Sequence, residues 1–317
     1  MSVLSVVVPA YNEELMISQV CRKVRDILTE SRIAYELLFV DDGSKDRTWD
    51  EIVKASENDR HVRGIRFSRN FGKEAAVSAG LSEAQGDCAA VMDCDLQHPV
   101  ETLVTMYRKW EEGYEVVEGI KSDRGKENPV YHLMSGIFYS IMSKETHVDM
   151  KGASDFKLLD RRAINSILAM PERNLFFRAA SFWVGYKTTR VMYEVREREA
   201  GKSKWSGISL IKYAMTNIAA FSAAPLQIIT VMGMGCFLFS ILLMIYSLIQ
   251  YFTGHAVEGY TTIVIVLLFI GSAVMISLGL IGFYLEKIYE EVKQRPRYIV
   301  AETAESGRVS IYSGPDV

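Results

Sequence analysis

The run Cys88-Ala89-Ala90-Val91-Met92-Asp93-Cys94-Asp95-Leu96-Gln97 decides how the N-terminal part of this chain is read. Its first half is short and apolar, the pattern of one buried strand, and its second half carries two carboxylates and a carboxamide. In an extended chain residues i, i+2 and i+4 point the same way, which would put Asp93, Asp95 and Gln97 on one side. Hard oxygen donors converging at a strand end suit a Mg²⁺ or Mn²⁺ ion that also holds substrate phosphates. An isolated Asp-x-Asp is also a common surface turn, so its meaning rests on what surrounds it.

Working outward, residues 1 to 120 alternate β-rich runs (4–8, 36–40, 62–67, 88–92 and 116–119) with helical patterns such as 13–28 and 73–84. The repeat of about 30 residues is that of a βαβ unit and predicts a mostly parallel sheet covered by helices. Ligands of such sheets bind at the carboxyl ends of the strands. Three polar clusters fall there: Pro9-Ala10-Tyr11-Asn12-Glu13, Asp41-Asp42-Gly43-Ser44, and the segment from Asp93 to Gln97. The first strand is followed by neither G-x-G-x-x-G nor a Walker-type loop, which removes the main support for a dinucleotide or P-loop site. Tyr11 can cover a nucleobase, and Asn12 or Glu13 can read its edge or ribose. The plainer reading of Asn12-Glu13-Glu14 is an N-cap with first-turn acids.

The 317 residues suffice for one large domain or two ordinary ones, and the net charge of −3 gives no reason to expect nucleic acid. Four cysteines without paired spacing fit a reducing compartment. Residues 3–8 are too short an apolar run for a cleavable signal, with no basic residue before them. Residues 225–252 and 260–285 contain no charge. Each would reach about 40 Å as a helix, beyond the ~30 Å of a hydrocarbon core. Two membrane spans joined by a short connector are therefore expected. Lys202, Lys204 and Lys212 precede the pair, Lys287, Lys293, Arg295 and Arg297 follow it, and the connector has no Lys or Arg. That bias keeps both termini in the cytosol. Val130, Leu133, Met134, Ile137, Phe138, Ile141 and Met142 mark one apolar helix face, and Ile208, Ile211, Met215, Ile218 and Phe221 another. Beside a membrane either can lie in the interface, with core packing as the alternative. From Ala304 onward the chain reads as a mobile tail.

Four ordered motifs now stand together: Val8-Pro9-Ala10-Tyr11-Asn12-Glu13-Glu14, Val40-Asp41-Asp42-Gly43-Ser44, Ser68-Arg69-Asn70-Phe71-Gly72-Lys73-Glu74 and Asp93-Cys94-Asp95-Leu96-Gln97-His98-Pro99. With Ser154-Asp155-Phe156-Lys157-Leu158-Leu159-Asp160-Arg161 and the stretch from Arg198 to Ser206, the chain resembles glycosyltransferase family 2. The likeness is greatest to its polyprenyl-phosphate branch of bactoprenol glucosyltransferases and dolichol-phosphate mannose synthases. The resemblance implies an α/β GT-A fold (Rossmann-like, mostly parallel sheet) over residues 1–205, an amphipathic helix at 206–224, a transmembrane hairpin at 225–285 and a cytosolic tail at 286–317. It implies a nucleotide-sugar donor, UDP-glucose as first choice, a Mg²⁺ or Mn²⁺ cofactor, and polyprenyl phosphate as acceptor. Work at the cell membrane on envelope glycans follows from it, with N-acetylglucosamine, mannose and galactose open as the sugar.

By position, Pro9, Tyr11, Asn12, Glu13, Asp41, Asp42 and Asp93 would hold the nucleotide sugar. Asp93, Asp95 and Gln97 would hold the metal, and Asp155 together with Asp95 would be essential to catalysis. Lys121, Arg124, Arg198, Ser203 and Lys204 would receive phosphates. Lys121 stands where relatives often carry arginine, which keeps the charge and loses the bidentate fork. A phosphate monoester has a second pKa of about 6 and needs little deprotonation to attack, so Asp155 is expected to orient groups at least as much as to act as a base. His98 is expected to shape the turn before Pro99. A processive synthase would need a Gln-x-x-Arg-Trp motif, which the chain lacks. A degenerate scaffold would have lost the metal motif, which is intact. The small-residue faces at Gly233, Gly235, Gly271, Gly279 and Gly282 fit a homo-oligomer, with ordinary helix packing as the alternative.

Overall fold

The computed structural model describes residues 2–122, 154–172, 175–194, 224–253 and 259–311. They fall in two compact units, one of residues 1–210 and 296–317, the other of residues 211–295.

The first unit is built as the βα alternation predicts. Strands β1 (Val3–Ala10), β2 (Ala34–Asp41), β3 (Val62–Phe67), β4 (Cys88–Val91) and β5 (Val116–Lys121) are separated by helices α1 (Ile17–Glu30), α2 (Thr48–Asn58), α3 (Lys73–Glu83) and α4 (Glu101–Glu111). Then come β6 (Lys157–Asp160), α5 (Arg161–Leu168), α6 (Phe177–Trp183) and β7 (Thr188–Tyr193), and near the C-terminus β8 (Val300–Glu305) and β9 (Arg308–Ile311). One sheet takes up all nine described strands in the order β7-β5-β6-β4-β1-β2-β3-β8-β9. β1 pairs in parallel with β2 and β4, and β2 with β3, whereas β6 and β8 run antiparallel to their neighbours. The central strands are buried on both faces, hence their unbroken valine and leucine runs.

Burial on one face joins Val6, Val8, Phe39 and Ala90 to the apolar stripes of α1 and α4. The other face packs β1 and β4 against α3, α5 and α6 through Val7, Val77, Val91, Ile164 and Phe177. Gly80 lets α3 approach closely, because a Cβ there would strike the Val7 side chain and lie 3.2 Å from Val40 Cγ2. That close seat fixes the N-terminal end of α3, which reaches the rim of the sheet.

The C-terminal segment departs from expectation. In place of a mobile tail from Ala304, β8 pairs with β3 and β9 with β8, and Ala304 itself is buried. Its composition, Val-Ala-Glu-Thr-Ala-Glu, has no strand pattern of its own. Cross-strand pairing with β3 supplies what local sequence lacks.

The second unit holds α7 (Ala224–Phe252) and α8 (Tyr260–Val292). Phe269–Val292 is long and apolar enough to cross a membrane, 24 residues of mean hydropathy 1.7 with none of its core buried in the protein. In α7 the apolar stretch among the described residues, Gly233–Tyr246, is too short to do so. The two helices touch through Phe239 and Phe269, whose ring centres lie 6.5 Å apart. The expected interfacial helices at residues 130–142 and 208–221 lie outside the described residues.

Gly80→Val should destabilise the first unit by about 3 kcal/mol through overpacking against Val7 and Val40. Thermal unfolding monitored by tryptophan fluorescence checks this, and an unchanged midpoint would show that α3 does not need its close approach.

Candidate active site

Residues that the sheet brings to its carboxyl rim come from the ends of β1, β2 and β4. Strand register sets Pro9 beside Val40 and Ala10 beside Asp41. Beyond β1, Asn12 adopts a left-handed φ of 54°, a conformation asparagine tolerates better than most residues. Its N–H donates to Ser44 Oγ (2.9 Å), its side-chain oxygen accepts from Lys45 N–H (2.8 Å), and Glu13 N–H donates to Thr48 Oγ1 (2.8 Å). These bonds stitch the loop after β1 to the loop after β2. Asn12 is thereby a loop fastener. The N-cap reading does not hold, since α1 begins at Ile17 behind Met16 and no acid sits in its first turn. Tyr11 and Pro9 are half-buried on the same rim.

The adjacent aspartates face different tasks. Asp41 is fully buried and its Oδ1 accepts from Ser44 N–H at 2.9 Å. Asp42 turns the other way, and its carboxylate accepts from Phe71 N–H (2.6 Å) and Gly72 N–H (3.0 Å) just ahead of α3. Asp42 therefore anchors the N-terminus of α3. Burial pushes its carboxyl up to about 6, against the two N–H donors that favour the ionised form.

That anchor delivers Lys73, the first residue of α3, into the rim. Lys73 Nζ lies 2.5 Å from Asp93 Oδ1 and 2.8 Å from Asp155 Oδ2. On the far side, Arg178 of α6 grips Asp155 with Nε at 2.6 Å and Nη2 at 2.9 Å. Glu74 closes the arrangement by accepting the Phe177 N–H at 3.0 Å, tying α3 to the start of α6. Burial alone would raise the Asp155 carboxyl, but the Lys73 and Arg178 cations outweigh it and hold the group well below the usual carboxylate range. Asp93 is held low in the same way by Lys73. A carboxylate paired twice is a weak base at neutral pH.

Asp155 is pinned from behind. Ser154 Oγ donates to Gly119 O (2.9 Å) and accepts from Phe156 N–H (3.0 Å), so the backbone on both sides of Asp155 is held. Beneath it Lys157 and Glu118, both fully buried, pair at 3.1 Å, and Lys157 Nζ donates to Ser181 Oγ at 2.8 Å. Burial lowers the Lys157 ammonium to about 8 while Glu118 supports its charge.

Strand β4 stops at Val91, and residues 93–97 turn, with Leu96 buried at φ 55°. The expected extended alternation of Asp93, Asp95 and Gln97 is thus replaced by a tight turn in which Asp95 Oδ1 accepts Gln97 N–H at 3.1 Å. His98 shapes this turn as expected: it accepts the Asp93 N–H on Nδ1 at 3.4 Å and stacks on Phe156 at 4.6 Å. Two carboxylates and a carboxamide remain hard oxygen donors, and a cation, the Lys73 ammonium, already rests on Asp93. The donor chemistry fits a divalent ion, which would have to share the Asp93 carboxylate with the Lys73 ammonium or displace it. No cluster of three His, Cys, Asp or Glu occurs with ligand geometry among the described residues, so Gln97 or substrate oxygens would complete the shell.

Lys121 is exposed at the end of β5. Arg124, Arg198, Ser203 and Lys204 lie outside the described residues. Sequence reading missed Lys73 and Arg178 as members of the site. Lys73 sits within a quoted motif, whereas nothing around Phe176-Phe177-Arg178 marks the arginine.

Two outcomes are expected. Arg178→Met should leave Asp155 with Lys73 alone and cost about 2 kcal/mol, the scale of a hydrogen bond to a charged group, read from denaturant unfolding; no change would show that Lys73 suffices. A carboxyl whose folded pKa exceeds its unfolded value takes up protons on folding, so the stabilising share of Asp42 is complete below about pH 4 and lost as pH rises through about 6. Wild type should therefore lose stability relative to Asp42→Asn across that window, and a pH-independent difference in Tm would contradict it.

A family model for glycosyl transferase family 2 matches residues 5–168. A bactoprenol glucosyl transferase of Shigella flexneri, derived from prophage SfII, is 36% identical over 305 residues, covering 95% of this chain and 98% of that protein. A glycosyltransferase of Synechocystis sp. is 36% identical over 301 residues, covering 94% and 95% of the two chains. Among solved structures, glucosyl-3-phosphoglycerate synthase from Mycobacterium tuberculosis, crystallised with Mn²⁺, UDP and glucosyl-3-phosphoglycerate, superposes with a TM-score of 0.50 at 21% identity, covering 69% of this chain and 78% of that one. The polar rim at the strand ends, the GT-A-like sheet and the near-full-length relatives agree, and the chain belongs to glycosyl transferase family 2 as a glycosyltransferase.

Proposed function

We propose that the protein transfers one glucose from UDP-glucose to polyprenyl phosphate at the cytosolic face of the cell membrane, with inversion at the anomeric carbon. The observation that carries this reading is the charged cluster Lys73–Asp93–Asp155–Arg178 on the carboxyl rim of the sheet, in a chain that also carries an apolar helix long enough to span a bilayer. The bactoprenol glucosyl transferase relative supports the choice of acceptor, and the UDP and Mn²⁺ held by the structural neighbour support the choice of donor and metal.

In this mechanism Tyr11 and Asp41 bind the nucleoside. Asp93, Asp95 and Gln97 would hold Mg²⁺ or Mn²⁺, which supplies Lewis-acid neutralisation of the diphosphate when bound. Lys73, already on Asp93, adds a positive charge beside the departing diphosphate. A lipid monophosphate oxygen attacks the sugar C1 as the bond from C1 to the diphosphate oxygen breaks, and the electron pair leaves with UDP. Attack and departure on opposite faces invert C1. Asp155 serves by position: its two cations keep it ionised, and it aligns Lys73 and Arg178 around the sugar or the acceptor. Lys121, Arg124, Arg198, Ser203 and Lys204 offset repulsion between the incoming phosphate and the donor.

Helices α7 and α8 form a two-span anchor with the catalytic unit and both termini in the cytosol. The positions Gly233, Gly235, Gly271, Gly279 and Gly282 each have open space where a Cβ would stand, which supports close packing with further copies of the chain as a homo-oligomer.

Purified protein supplied with UDP-glucose and undecaprenyl phosphate should form a lipid-linked hexose detectable by mass spectrometry. Asp95→Ala and chelator-treated protein should each lose at least about 100-fold in rate, the scale of removing one group that stabilises transition-state charge. Undiminished turnover in either case would sink the metal mechanism, and product formed only from another nucleotide sugar would replace glucose.

A further inference from the structure

Asp41 carries an unusual loose end. Its side chain is fully buried and Oδ1 is satisfied by Ser44, but Oδ2 has no hydrogen-bond partner among the described residues. The nearest cation is Arg66, with Nε 3.5 Å away. A buried carboxylate oxygen without a donor is unfavourable, and with no surface exposed Oδ2 leans on the Arg66 cation. In the reading proposed above Asp41 lies at the nucleoside, so what steadies this carboxylate steadies the site.

Arg66 is a long side chain on β3, one-third exposed, which solvent would draw away from Asp41 unless something held it. Glu302 does so. Its Oε1 accepts from Arg66 Nη1 at 3.0 Å, and its Oε2 accepts from the buried Trp49 Nε1 at 2.9 Å. The guanidinium also lies 5.9 Å from the Trp49 ring centre. Both oxygens of Glu302 are thereby committed, and Arg66 is aimed at Asp41.

Pairing of β8 with β3 sets Glu302 directly across from Arg66. That pairing has supports of its own: Ala304 enters the core, Tyr298 stacks on Phe67 at 5.0 Å, and Ser68 N–H donates to Ile299 O at 3.0 Å. Strand β8 should therefore stay in place when Glu302 alone is changed.

We propose that β8 is a working part of the nucleotide site and that Glu302 is a positioning residue, acting on Asp41 through Arg66. This rests on the reading that Asp41 lines the nucleoside pocket. A segment that follows the apolar helices in sequence thus completes a site whose other members lie in the first hundred or so residues.

Isothermal titration of UDP, with Mn²⁺ present, into the full-length protein in detergent tests it. Glu302→Ala should weaken UDP binding about tenfold, the loss expected for a charge-assisted contact, and should raise the donor KM while leaving kcat near wild type. Glu305→Ala, on the same strand beside Arg63, should bind UDP as wild type does. Arg66→Met should lose as much as Glu302→Ala, and adding Glu302→Ala to it should bring no further loss. Wild-type affinity in Glu302→Ala, or a further loss in the double variant, overturns the relay, because simple loosening of the strand would add in either background. Wild-type affinity in Asp41→Asn, or no UDP binding by the parent protein, overturns the nucleotide reading itself and the relay with it.

Discussion

The Asp155 carboxylate, buried between Lys73 and Arg178, is the contact on which the site depends. It draws together the start of α3, the strand β6 that follows it and the first turn of α6, three elements far apart in sequence. Burial of a single carboxylate would be strongly unfavourable, and two hydrogen-bonded cations make it tolerable. Because Lys73 also serves elsewhere and the start of α6 is tied to α3, the pair is a geometric lock. Lys73 reaches Asp93 on the turn after β4, and the neighbouring Phe177 N–H is taken by Glu74.

The lock works only because α3 is placed with little freedom. Gly80 seats its middle against β1, and Asp42 holds its leading edge through two backbone amides. In this way a carboxylate just after the second strand sets the position of a lysine some thirty residues later. The loops after β1 and β2 are fastened in the same manner by Asn12, Ser44, Lys45 and Thr48. Much of the rim's polar chemistry is thus spent on holding the rim itself, which leaves a smaller set of oxygens free for a ligand.

The five leading strands and the helices between them were legible because apolar period and βαβ spacing are local properties. Val62–Phe67 matches its expected bounds, and the other four differ at their ends by a few residues. The polar rim was legible for a related reason, since parallel strands must deliver their following loops to one edge. Strand β6 was recognised as a motif and not as a strand, being four residues long with charge at both ends. The assumption of an extended Asp-x-Asp-x-Gln failed at Leu96, whose left-handed backbone no pattern of hydrophobicity records.

Sequence by itself determined the sheet's parallel core, the rim that gathers Tyr11, Asp41 and Asp93, the apolar C-terminal helices and the family, because these follow from local periodicity and ordered motifs. Tertiary structure alone decided which charges meet: Lys73 with Asp93 and Asp155, Arg178 with Asp155, and Glu302 with Arg66. It also turned the segment from Val300 to Ile311 from an expected tail into two strands of the main sheet. Ion pairs and edge pairing depend on the separation of groups in space, and a polar segment such as Val-Ala-Glu-Thr-Ala-Glu carries no sign of its partner until the partner's strand is beside it.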